Sequence, residues 1–348
     1  MAEENEVLMS EVPLVDVHAH YTTADYIADA KAAGHAMPDG MPAGYWPSWT
    51  PEAHVELMDR CGIGKSYLSM SSPGVHFGDD AAAHELARRV NDAGADAKAT
   101  YPERFGLFAS LPMPDVDGTL DELTRAFDDL DADGVIVMSN ANGTYFGSLA
   151  SRPILEELDR RNAVVFLHPT SPPGYQLVDQ GWPRPMIEFF FDTARAVVSY
   201  VANGFTDEFS NIKLIIPHMG GVIPLLTMRV EAFLQGGGRA QSRTVQELLG
   251  DFYFDLASNI GPEHVAALNS ITGPDKILFG SDYCWTPPEP TRLRLDVIDK
   301  LMETHLADWR ETTSRNAGKL FECNCTPGIG SAVRNSSGAR HGQQWSGQ

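Results

Sequence analysis

Val15-Asp16-Val17-His18-Ala19-His20 is the stretch on which the reading of this chain turns. It is short, apolar and β-prone, and it ends in two histidines two residues apart. Residues i and i+2 of a strand share a face, so His18 and His20 can set two imidazoles side by side at the strand's C-terminal end. Two adjacent imidazoles suit two ligand positions of one divalent metal ion. An HxH pair alone is weak evidence, because such pairs arise by chance. Its meaning depends on whether other strands end in the missing ligands.

Working outward, further strand patterns fall at 65–70 (KSYLSM), 105–110, 134–138, 163–168 (AVVFLH), 212–217 (IKLIIP), 251–256 (DFYFDL) and 276–279 (KILF). Helical patterns separate them. One begins at Thr50-Pro51-Glu52, with Thr as N-cap and Pro at the first position, and stops at Gly62. Strands that alternate with helices imply a parallel sheet. Eight such units predict an α/β fold: a (β/α)8 TIM-like barrel, with an inserted loop region after strand 1 and a C-terminal helix. The rival is an open doubly wound sheet, but no GxGxxG follows the first strand. The expected organisation is an N-terminal extension over 1–13, a barrel domain over 14–322 and a flexible tail over 323–348, where apolar residues thin out.

In a barrel the active site lies at the C-terminal ends of the strands. Strand one supplies His18 and His20 there. Strand five supplies His168, strand six His218 and strand eight Asp282. The remaining histidines fall on helices, in loops or in the tail. Any one of the five could cap a turn or sit as a satisfied polar group; their shared rim points to a metal or acid/base site. Lys65, Lys213 and Lys276 open their strands at the opposite rim, so no lysine is placed to bridge a second metal, and one metal is expected. The Gly/Pro-rich stretch 34–51 carries Tyr45, Trp46 and Trp49. A loop of that length suits a lid or pocket wall, or aromatics packed on the barrel mouth. Trp46, Trp49 and Tyr21 are the candidates for substrate contact.

Composition sets bounds. The 348 residues include 47 acidic and 26 basic ones, a net charge of −21. Such a surface repels nucleic acid and anionic membranes, so neither is an expected partner. The acidic N-terminus lacks the pattern of a secretory signal, and no apolar run has the length of a membrane span. Cys61, Cys284, Cys323 and Cys325 form no CxxC pair, which fits a reduced, cytoplasmic protein.

HAHY at 18–21, FLHP at 166–169, IIPHMGG at 215–221 and FGSDYCW at 279–285 resemble the amidohydrolase superfamily. More narrowly they are similar to its branch related to aminocarboxymuconate-semialdehyde decarboxylase. The segments WTPEAHVELMDRCGI, ERFGLFASLP and LDRRNAVVFLHPT are most like 6-methylsalicylate decarboxylases. The resemblance spans about residues 14–321. It implies one Zn²⁺ or Mn²⁺ held by His18, His20, His168 and Asp282, with His218 as a catalytic side chain. It also implies that Arg229, in LLTMRVEAF, reaches a neighbouring subunit's site, which makes the active form a homodimer or a higher homo-oligomer. Two departures stand out. Relatives that act on dicarboxylates carry an arginine in the loop after strand one, where this chain reads YWPSWTP; this favours a substrate with one carboxylate and an apolar ring. Relatives also commonly have Pro where Cys284 stands.

The expected reaction is non-oxidative decarboxylation of a small aromatic hydroxy acid. The metal would chelate the carboxylate and phenolic oxygens, and a proton would be delivered to the ring carbon by Asp282 or, as second choice, His218. The same groups could run metal-dependent hydrolysis of an amide or lactone with an activated water. A non-enzymatic scaffold with a structural metal is the third reading. Structural zinc sites usually close with Cys or His at short spacing, which this ligand set does not match.

Overall fold

The computed structural model describes residues 12–239 and 241–322. Eight parallel strands run β1 (Leu14–His20), β2 (Ile63–Ser69), β3 (Phe105–Ser110), β4 (Gly134–Met138), β5 (Val164–His168), β6 (Lys213–Ile216), β7 (Tyr253–Asp255) and β8 (Ile277–Leu278), each paired with the next in sequence. The ring closes between β8 and β1. Val17 N–H donates to the Phe279 carbonyl at 3.0 Å and Asp282 N–H to the His18 carbonyl at 2.8 Å, and bridges join Asp16 to Phe279 and Ala19 to Tyr283. The fold is the expected (β/α)8 barrel. The terminal segments expected at 1–13 and 323–348 lie outside the described residues, apart from Val12 and Pro13.

Among the described residues twelve α-helices surround or cap the strands. They are α1 (Ala24–Ala32), α2 (Pro51–Cys61), α3 (Asp80–Thr100), α4 (Val116–Asp128), α5 (Arg152–Arg160), α6 (Glu188–Ala202), α7 (Phe205–Glu208), α8 (Ile223–Gly236), α9 (Val245–Leu249), α10 (Pro262–Asn269), α11 (Pro288–Met302) and α12 (Trp309–Glu322). Local chemistry sets their ends. Thr50 Oγ1 accepts from Ala53 N–H at the start of α2, and Gly62 ends it in the left-handed region at φ 67°, where glycine carries no steric penalty. α1 has no counterpart in the sequence reading; Thr23 caps it through Tyr26 N–H.

The interior of the barrel is filled by side chains. Val17, Tyr67, Phe108, Ile136, Phe166 and Ile215 form one buried cluster. Ala317 and Leu320 of α12 complete it, and the Phe321 ring stacks on Tyr67 at 3.8 Å. The C-terminal helix therefore packs onto the barrel filling. Phe166 lies against His18, with ring centroids 4.8 Å apart, and so floors the histidine cluster. No helix among the described residues is long and apolar enough to cross a membrane.

Candidate active site and metal centre

β1, β5 and the segment after β8 bring His18, His20, His168 and Asp282 together. One potential ligand atom from each lies within 4.8 Å of all the others. β1 is not a regular strand here. Its register against β2 shifts between Asp16 and Ala19, an irregularity of the kind that re-aims side chains at barrel rims. The His18 and His20 rings still meet, with centroids 4.9 Å apart.

The Nδ1 side of each histidine is already engaged. His18 Nδ1 donates to Asp255 Oδ2 at 2.9 Å. His20 Nδ1 faces Ser69 Oγ at 2.9 Å; that hydroxyl spends its own proton on the Ala19 carbonyl, so the imidazole is the donor. His168 Nδ1 donates to the Pro169 carbonyl at 2.8 Å. In each ring the proton is thereby fixed on Nδ1, and Nε2 keeps a lone pair. His18 Nε2 and His20 Nε2 are buried with no hydrogen-bond partner. They stand 3.6 and 3.5 Å from Asp282 Oδ1. Buried nitrogens left unsatisfied are costly unless something else binds them. Three such lone pairs and a carboxylate fit the N/O donor set of a divalent cation. A metal-ligating histidine held by a carboxylate through its other nitrogen is also a recurring arrangement.

Burial keeps two of the three rings neutral. Burial disfavours charge on His20 and lowers its pKa. Burial, then the His20 and His18 rings, push His168 far down. Burial likewise opposes charge on His18, but the Asp255 carboxylate and then Asp282 outweigh it, and the net direction is up. Asp282 is held well below the usual carboxylate range: burial would raise it, but the surrounding His20, His18 and His218 prevail. Burial, reinforced by His18, brings His218 down to about 4, so it is neutral at pH 7. His218 hangs from β6, and its backbone N–H donates to Asp255 Oδ1 at 3.0 Å. His218, Met219 and Asp282 all have positive φ, at 55°, 56° and 58°. Non-glycine residues there carry backbone strain, and such strain concentrates at functional sites.

A cavity of about 440 Å³ opens onto His168, His218 and Asp282. Its aromatic wall is Tyr45, Phe189, Phe190 and Trp285, which differs from the expected one. Tyr21 is fully buried and donates its hydroxyl to the Val90 carbonyl at 2.7 Å. The Trp46 indole donates to the His35 carbonyl at 2.9 Å and the Trp49 indole to His54 Nδ1 at 3.0 Å. These three aromatics satisfy their polar atoms away from the cavity and do not line it. Arg229 is exposed on α8, its guanidinium 5.0 Å over the Phe233 ring, and does not line its own chain's cavity. Asp255 carries no motif of its own in the sequence, although it ends β7. Arg294, which lines the cavity, has no distinguishing sequence signal, whereas Trp285, which also lines it, closes the FGSDYCW motif.

Residues 15–322 match the amidohydrolase family model. This chain belongs to the amidohydrolase family. It is 33% identical over 315 residues to a 6-methylsalicylic acid decarboxylase of Penicillium expansum, covering 88% of this chain and 95% of that protein. It is similar to a crystal structure of an amidohydrolase II at 32% identity and TM-score 0.81, covering 89% of this chain and 99% of that one. The fold is shared, at 23% identity and TM-score 0.72 over 90% and 98% of the chains, with a dihydroxybenzoic acid decarboxylase from Polaromonas solved with manganese and 2-nitroresorcinol.

Proposed function

We propose that the chain is a metal-dependent, non-oxidative decarboxylase of a small aromatic hydroxy acid of the 6-methylsalicylate kind. The observation that carries this is the convergence of three histidines, each with Nδ1 already bonded and Nε2 free, on the ionised Asp282 beside an aromatic-walled cavity. Decarboxylase relatives support the reaction class. His18, His20, His168 and Asp282 would hold the cation, for which Zn²⁺ and Mn²⁺ both suit the donors. When bound, it supplies Lewis-acid charge to the carboxylate and phenolic oxygens and orients the ring.

The side chains then manage one proton. Asp282 is ionised and His218 neutral in the free site, so each enters as a base. Asp282 takes the phenolic proton as substrate binds and delivers it to the ring carbon that bears the carboxylate. The C–C bond breaks, CO₂ leaves, and its electron pair restores the aromatic ring as a phenolate, which takes a proton from water on release. His218 is the second candidate for this transfer. The stacked Phe190 ring, 5.9 Å from His218, walls that side of the cavity.

The exposed apolar row of Leu225, Met228 and Phe233 beside Arg229 supports a homodimer in which Arg229 serves the partner's site. The buried, unpaired Cys61 and Cys284 fit a reducing cytoplasm. The test is a product screen. Protein loaded with Mn²⁺ or Zn²⁺ should release CO₂ from salicylate-type acids. Turnover of lactones or amides with no CO₂ from any such acid would replace this reading with hydrolysis.

A further inference from the structure

The cavity has three charged lining residues besides its histidines: Asp282, Asp39 and Arg294. Arg294 is therefore the one cation among the described lining residues, and it comes from α11. Among the described residues its hydrogen bonds all go to neutral oxygens. Nη1 donates to the Ser281 carbonyl at 3.0 Å and Nη2 to Thr286 Oγ1 at 3.1 Å. Nε is buried with no partner. Among the described residues no carboxylate is ion-paired with it. Arg292, two residues away on the same helix, is paired with both Glu289 and Asp296. With 47 acidic residues against 26 basic ones, carboxylate partners are in ample supply. A half-buried guanidinium that faces a cavity without an ion-paired carboxylate can take an anionic partner there. Guanidinium is also the side chain best matched to a carboxylate, through paired N–H donors.

We propose that Arg294 is the residue that reads the substrate's carboxylate: an organic carboxylate entering the cavity supplies the anion that Arg294 lacks, while Ser281 O and Thr286 Oγ1 hold the guanidinium in position. The proposal rests on the aromatic-acid reading for its substrate class. It gives a substrate with a single carboxylate a cationic partner in a chain whose loop after β1 offers none.

The test uses the full-length, metal-loaded protein and two ligands of nearly equal shape, salicylate and the uncharged salicylamide. Calorimetry gives the ratio of their Kd values in wild type, Arg294→Met and Arg294→Lys, and elemental analysis gives the bound metal in each. The preference for salicylate should fall about tenfold or more in Arg294→Met, the worth of a charge-assisted pair, and return in part in Arg294→Lys, with metal content unchanged in both. An unchanged ratio overturns the proposal. So does a parallel loss of both ligands or a loss of metal, because Arg294 would then only fasten the turn that carries Asp282. Arginine-dependent preference without CO₂ release from any acid would refute the decarboxylase reading and leave this one standing.

Discussion

Asp255 governs the site without lining the cavity. Its two oxygens tie His18 Nδ1 and the backbone N–H groups of His218 and Ala257 into one buried unit. Asp255→Asn should keep the fold but weaken metal binding about 10–100-fold, the usual cost of losing a carboxylate behind a ligating histidine; chelator-competition titration reads this, and unchanged affinity would count against the metal assignment. The residue scale is also where sequence legibility divides. His18, His20, His168, His218 and Asp282 are legible because each lies near or just beyond the C-terminal end of a strand. Asp255 obeys the same rule in DFYFDL, yet a solitary Asp after a strand reads as an ordinary turn residue. For Tyr21, Trp46 and Trp49 the sequence reveals an aromatic but not its direction. The direction is set by which carbonyl or ring nitrogen its N–H or O–H reaches in the folded chain.

At the scale of elements, the strand-and-helix alternation was readable because the β segments are continuous apolar runs bounded by turn residues. α1 was not: its ADYIADAKA sequence buries only Tyr26 and Ala30, too narrow a stripe for a periodicity signal. α12 was read as a C-terminal helix, but that it seals the barrel filling depends on tertiary packing. Leu320 is 1% exposed in that filling, so Leu320→Ala should cost about 2–5 kcal/mol by urea denaturation. A cost below 1 kcal/mol would mean that α12 merely rests on the barrel. The loop after β4 meets α6 at Gly147, where an added Cβ would stand 2.3 Å from Tyr200 N and 2.5 Å from the Ala196 carbonyl. Both are backbone atoms that cannot swing aside, so Gly147→Ala should lower the melting temperature by several degrees even though it changes no cavity residue.

For the whole molecule, two expectations join the site to its assembly. Met228 is 76% exposed on α8 beside Arg229, and burial of that apolar row against a second copy would be favourable. Met228→Asp should convert a dimer to a monomer in sedimentation and depress CO₂ release, since Arg229 would no longer reach a partner; a wild-type protein that sediments as a monomer would remove this part of the account. Chelation should abolish turnover yet leave the far-ultraviolet spectrum intact, because the barrel is held by its buried clusters and the cation would bind only at its rim. The chemistry itself is tested most directly by running the metal-loaded protein on a salicylate-type acid in D₂O and locating deuterium in the phenol product. One deuterium is expected at the carbon that bore the carboxylate, equimolar with CO₂, and at least a hundredfold slower incorporation in Asp282→Asn, on the order of the contribution of a positioned acid/base group. Turnover that leaves every ring carbon unlabelled, or releases no CO₂, would contradict this chemistry.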